Sequence, residues 1–308
     1  MRGREFSRRR PRGKRLTILA AFATAWLLVS LSVAPRAEAQ WACAELEAGP
    51  SRTVTRIVDG ETLVLDDGTE LRLIGMLAPR AIDVGTVPGI WRMEQAAVEA
   101  LQALVSGRTI EIHFAGEPSD RYGRLKGHAF LASEEGTVWV QGRLLEMGLA
   151  RAYAPAAHRA CEAELLVAER TAREARLGVW AEAAYEVRSA EPPAALLRHV
   201  ATFQLVEGRV MRVATTRGRI YLNFGQSRGR GFSVSLRLGD RARLGRFQDH
   251  PKGLEQAQVR VRGWIEERTG QPVVDLTAAG SVEVIAKADG PEPDAKTGRG
   301  GERRSRPK

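Results

Sequence analysis

Two carboxylates and three arginines stand at spacings that could serve an anionic ligand. Asp59 and Glu61 flank Gly60 in Ile57-Val58-Asp59-Gly60-Glu61-Thr62, while Arg72 and Arg80 bracket Leu71-Arg72-Leu73-Ile74-Gly75-Met76-Leu77-Ala78-Pro79-Arg80. Arg124 closes Asp120-Arg121-Tyr122-Gly123-Arg124. Carboxylate oxygens hold hard cations, and the guanidinium fork neutralises phosphate oxygens. The same residues also have plainer roles. Asp59 and Glu61 suit a turn and a solvated face. Arg72, between Leu71 and Leu73 on a strand, points to solvent if the leucines enter a core. Arg124 after Tyr122-Gly123 suits a surface.

The elements that must position these groups are legible around them. Residues 52–75 alternate aliphatic and polar side chains, broken by Asp-Gly at 59–60 and 67–68, which predicts a three-strand meander. Trp91 to Ser106 has Met93, Ala96, Ala97, Leu101 and Leu104 near helical spacing, so a helix follows. Strands are expected at 109–114 and 127–132, then helices at about 141–147 and 158–177, and Gly178-Val179-Trp180 closes the unit.

In order and spacing these three motifs, with Gly178-Val179-Trp180, resemble the staphylococcal nuclease (thermonuclease) family over about residues 52–182. The resemblance implies an α+β fold, a five-stranded OB-type barrel with three helices, and calcium-dependent phosphodiester hydrolysis. That chemistry needs a hard cation held by carboxylates, a base to activate water, and guanidinium groups on the phosphorus-bound oxygens. By resemblance Asp59 and Glu61 are the metal ligands, Glu61 standing where the family has aspartate. Arg72 and Arg124 are the phosphate clamps, and Tyr122 belongs to the same phosphate or nucleic-acid surface.

The next stretch departs from the family pattern D-[AT]-P-E. Leu77 takes the place of the second metal ligand and Arg80 that of the glutamate that activates water. Leucine offers calcium no oxygen, and arginine remains protonated and cannot accept a proton. Arg80 then places a fixed cation beside Asp59 and Glu61. The expectation is a degenerate site that binds phosphate or nucleic acid with little or no nuclease activity and no cofactor. The alternatives are a working calcium-dependent nuclease whose base has moved to Asp83 or Glu94, and an envelope scaffold for a protein partner.

The 308 residues carry 47 Lys plus Arg against 37 Asp plus Glu, with 44% hydrophobic residues, which excludes disorder over the whole chain and a polytopic membrane protein. The excess charge sits at the ends. Residues 1–15 hold eight basic residues and one acidic, and 287–308 hold seven and four. Residues 16–33 carry no charge and precede Ala37-Glu38-Ala39, so residues 1–39 read as a secretory signal peptide, with an uncleaved anchor at 16–33 as the runner-up. Arg8-Arg9-Arg10 gives only a weak twin-arginine signal. A periplasmic or secreted location follows, with no membrane span left after cleavage. There, Cys43 and Cys161 read as a disulfide, two free thiols being the alternative. His113, His128 and His158 have no metal-ligand spacing, and no cluster of Cys and His suggests zinc.

The domains expected are a thermonuclease-like barrel over 40–188, a linker over 189–200 containing Pro192-Pro193, a second OB-like β domain over 201–286, and a disordered basic tail over 287–308. In the second domain three strands, a helix near 240–248 and two more strands follow the order of an OB barrel. Arg217, Arg219, Arg228, Arg230, Arg241, Arg243 and Arg246 gather around Tyr221, Phe224 and Phe232. Basic groups with interleaved aromatics suit single-stranded nucleic acid or another polyanion. Equally, the aromatics fill the barrel and the arginines solvate it.

Overall fold

The structure is a computed structural model that describes residues 43, 46–134, 136–153, 160–225, 230–276 and 281–286. The expected leader (1–39), basic tail (287–308), Arg228 and His158 lie outside the described residues. The described residues fall within one compact unit.

The meander is present as β1 (Glu47–Asp59), β2 (Thr62–Leu65) and β3 (Glu70–Leu73). Asp-Gly turns join them, and Gly68 adopts the left-handed φ of 83° that glycine tolerates. The strands alternate as their sequence dictates: Leu71 and Leu73 are buried while Arg72 between them is half-buried. After β4 (Gly75–Leu77) comes helix α1 (Arg92–Val105), which buries Ala97, Leu101 and Val105 at four-residue intervals. The chain continues through β5 (Thr109–Phe114), β6 (Leu125–Ser133), β7 (Gly136–Trp139), α2 (Val140–Glu146), β8 (Arg151–Tyr153) and α3 (Glu162–Glu174). β1 pairs with both β2 and β5, and β3 runs parallel to β6, so the order β1-β2-β3-β6-β5 closes on itself as a five-stranded barrel. β4 and β8 form a separate ribbon with Leu77 opposite Arg151. Cys43 and Cys161 form a disulfide across 118 residues, with Cα atoms 4.8 Å apart.

A second β-rich body follows. Residues 189–200, expected as a linker, pack against it: β9 (Arg188–Ser189) pairs with β10 (Phe203–Arg209), and Ala190 and Leu196 enter its core. β11 (Arg212–Thr216), β12 (Arg219–Asn223), β13 (Ser233–Arg237), β14 (Gln258–Arg268), β15 (Gln271–Asp275) and β16 (Ser281–Ala286) complete it. β10 and β11 flank the path β12-β13-β15-β14, with β13 parallel to β15, repeating the connectivity of the first barrel. The helix expected near 240–248 is a 3-10 segment, Leu238–Phe247, broken at Gly245 (φ 56°, ψ −130°). Gly239 and Gly245 deprive it of helix propensity.

The two barrels share a buried cluster of Leu77, Ala172, Val179, Trp180, Tyr185, Phe203 and Leu205. Beside it, Arg262 of β14 grips Glu169 of α3 with both terminal nitrogens, at 2.9 and 3.0 Å, and donates to the Ala152 carbonyl. Both side chains are almost wholly buried. Among the described residues no helix is long and apolar enough to cross a membrane.

Candidate functional site

The β1–β2 turn sets the site. At Gly60 a Cβ would meet the Ala78 Cβ at 2.7 Å, so glycine is what lets this turn lie against the segment after β4. Closure of the turn carries Glu61 inward until it is only 3% exposed. One of its carboxylate oxygens accepts from Arg72 Nη2 at 2.7 Å and the other from the Ala78 backbone N–H at 3.2 Å. Burial pushes the Glu61 carboxyl above its ordinary value, against the pull of Arg72 and the Ala78 N–H. Asp59 remains exposed, and its Oδ1 accepts from the Glu61 N–H at 2.9 Å.

Arg124 is held by Asp120, whose Oδ2 accepts from its Nε at 2.8 Å, while Oδ1 accepts from the backbone N–H groups of Tyr122 and Arg124. Partial desolvation works against ionisation of Asp120, but these bonds win and hold its carboxyl below the ordinary range. Tyr122 is 69% exposed, its ring 5.7 Å from the Arg124 guanidinium carbon and 4.7 Å from that of Arg121. The parallel register sets Lys126 of β6 opposite Arg72 of β3, while Arg124 lies in the turn just before β6. Lys126 was absent from the motif reading. Its pairing with Arg72 is set by the parallel register of two distant strands, which no local sequence signal announces.

The two departures from the family pattern have distinct structural places. Leu77 is buried in the cluster that joins the barrels. Arg80 is 44% exposed, lies 3.9 Å from Asp83 and draws on Glu61 electrostatically. A calcium ion fits this donor set poorly. Glu61 has both oxygens engaged, Leu77 offers none, and Arg80 brings a positive charge close enough to act on Glu61. Among the described residues no three His, Cys, Asp or Glu side chains converge as a metal site. Neither displaced-base candidate is free. Asp83 accepts from Tyr185 Oη at 2.7 Å, from Arg151 at 3.3 Å and from the Arg80 N–H at 3.2 Å. Glu94 accepts from the N–H groups of Ala81 and Gly89.

In the second barrel, Phe224 and Phe232 fill the core with ring centroids 4.9 Å apart, and Arg243 is buried. Arg219 pairs with Asp275, Arg241 with Asp249, and Arg246 lies over Phe247. Arg217 turns the β11–β12 loop at φ 49°. The aromatic–basic alternation thus divides between inside and outside. What it leaves at the surface is a cleft of about 230 Å³ containing Tyr221, Asn223, Arg230, Arg268 and Gln271. His113 sits against Phe130, and buried His128 accepts from Trp139 Nε1.

The closed five-stranded barrel carries two carboxylate-tethered arginines, Arg72 on Glu61 and Arg124 on Asp120. Residues 70–182 match the family described as Staphylococcal nuclease homologue, which makes this region an SNase-like domain. The matched span holds Arg72, Leu77, Arg80 and Arg124 and begins beyond Asp59 and Glu61. The thermonuclease of Staphylococcus intermedius is 27% identical over 135 residues, covering 43% of this chain and 77% of that protein.

Proposed function

We propose that this is an exported protein whose first barrel binds the phosphates of nucleic acid and hydrolyses them slowly or not at all, without calcium. The observation that carries the reading is the engagement of both Glu61 oxygens, by Arg72 and by the Ala78 N–H, with Arg80 in place of a base. Arg72 commits one terminal nitrogen to Glu61 and Arg124 turns one edge to Asp120. Each keeps further N–H donors for phosphate oxygens. Lys126 adds charge opposite Arg72, and Tyr122 offers an exposed ring on which a base can stack. Arg80 adds a third guanidinium but takes no proton from water, so general-base assistance worth about 10² to 10⁴ in rate is missing. In the second barrel Tyr221 and Arg230 extend the contact with a single strand. The charge-free stretch at 16–33 and Ala37-Glu38-Ala39 support export and removal of residues 1–39, and the Cys43–Cys161 disulfide suits an oxidising compartment.

The test is fluorescence anisotropy of a labelled single-stranded oligonucleotide with residues 40–308. Binding that weakens with salt, is indifferent to chelator and falls at least about tenfold in Arg124→Gln is expected. This variant leaves the Glu61–Arg72 pair intact. Absence of binding, or binding that Arg124→Gln and Arg72→Gln both leave unchanged, overturns the reading in favour of a scaffold.

A further inference from the structure

The segment from Ala81 to Ile90, between β4 and α1, has an exposed aliphatic surface. Ile82 is 72% exposed, Val87 61% and Ile90 68%, and Val84 is also exposed. Its single charged residue, Asp83, is turned inward onto Tyr185 and Arg151, so no charge interrupts that outer surface. The loop is also built. Glu94 at the start of α1 accepts from the N–H groups of Ala81 and Gly89, while Gln95 donates to the Gly89 carbonyl, which ties both limbs of the loop to one helical turn. Arginines mark its two ends, Arg80 44% and Arg92 72% exposed at the side chain, Arg92 also pairing with Glu182.

We propose that this loop docks the protein on an anionic phospholipid bilayer, with Ile82, Val84, Val87 and Ile90 entering the interface and Arg80 and Arg92 at the headgroups. Two features favour lipid over a protein partner. The loop's exposed large side chains are all aliphatic, and the neighbouring Trp91 stacks on Tyr185 instead of standing out as an aromatic anchor of the kind found in protein hot spots. Cations flank it while its acid faces inward, which is the charge arrangement an anionic surface attracts. Ordering costs little because the loop is already held at both limbs. The inference goes beyond phosphate binding and does not depend on Arg72 or Arg124.

The test is co-sedimentation of residues 40–308 with phosphatidylcholine vesicles with and without phosphatidylglycerol. The expected result is partitioning onto the anionic vesicles, reduced at least about tenfold in Ile82→Ser/Val87→Ser/Ile90→Ser. Val167→Ser, at an exposed apolar position on α3, should bind as the parent does. Because the substituted side chains are exposed, the triple variant should melt with the parent. No partitioning by the parent, or equal partitioning by parent and triple variant, overturns the proposal. Self-association without vesicles that the triple variant abolishes also overturns it, assigning the loop to a protein interface.

Discussion

Glu61 has one methylene more than aspartate, and its carboxylate reaches both Arg72 and the Ala78 N–H, so each of its oxygens already accepts one hydrogen bond within the protein. The ion pair is set in a buried place, and the carboxyl is raised above its ordinary 4.5. The folded state therefore keeps the Glu61 proton at pH values where the unfolded chain has released it. Stability contributed by this group is greatest below about pH 4.5 and is lost as pH rises through the folded value. Glu61→Gln removes that slope, so the difference in melting temperature between parent and variant should shift in the variant's favour as pH rises above about 4.5, read by circular dichroism. Leu77 gives a second prediction at this scale. Restoring a carboxylate with Leu77→Asp buries a charge in the cluster with Trp180 and Phe203 and should cost about 3 to 5 kcal/mol in urea unfolding. Arg80→Glu, at a half-exposed position, should cost less than about 1 kcal/mol.

Among the elements that build the site, the β1–β2 hairpin has little room to vary at Gly60. Gly60→Ala places a methyl against Ala78 and Ala97 and should destabilise by about 1 to 3 kcal/mol in the same measurement, withdrawing Glu61 from the Ala78 N–H. This hairpin was readable in advance because Asp-Gly between alternating segments is a local signal, and α1 was readable from its helical spacing. The strands β4, β8 and β9 were not, having two or three residues each and too short a run to show a period. The 3-10 segment at 238–247 passed for a helix because leucines and arginines outweighed its two glycines. In the site, Asp59, Glu61, Arg72 and Arg124 were legible as residue types at telling spacings. That Glu61 is fully engaged was not, since Ala78 meets it across 17 residues through tertiary closure. For the same reason sequence could not assign Phe224 and Phe232 to the inside of their barrel and Tyr221 to its surface.

Two long-range ties help hold the molecule together; the disulfide was legible as an even pair of cysteines in an expected oxidising compartment, the buried ion pair was not. Arg262 and Glu169 are 93 residues apart and meet in a buried pair between the barrels. Arg262→Met leaves the Glu169 carboxylate buried with only Arg173 and the Ala152 N–H, and should cost about 3 to 5 kcal/mol, with the two barrels separating into distinct calorimetric transitions. Glu283 completes the network, and although burial opposes its ionisation, Arg262 and Arg260 hold its carboxyl below 4.5. Its contribution is present above that value and is lost as pH falls through the folded one. The disulfide adds loop-closure stabilisation of roughly 4 to 5 kcal/mol in chain-entropy terms.

The central claim is that the outer face of the first barrel grips phosphate but lacks the base and the cation for cutting. The most direct measurement is digestion of denatured DNA by residues 40–308, followed on a gel with added calcium and with chelator. The account predicts intact DNA in both lanes. Calcium-stimulated, chelator-sensitive fragmentation by the unmodified protein would contradict it.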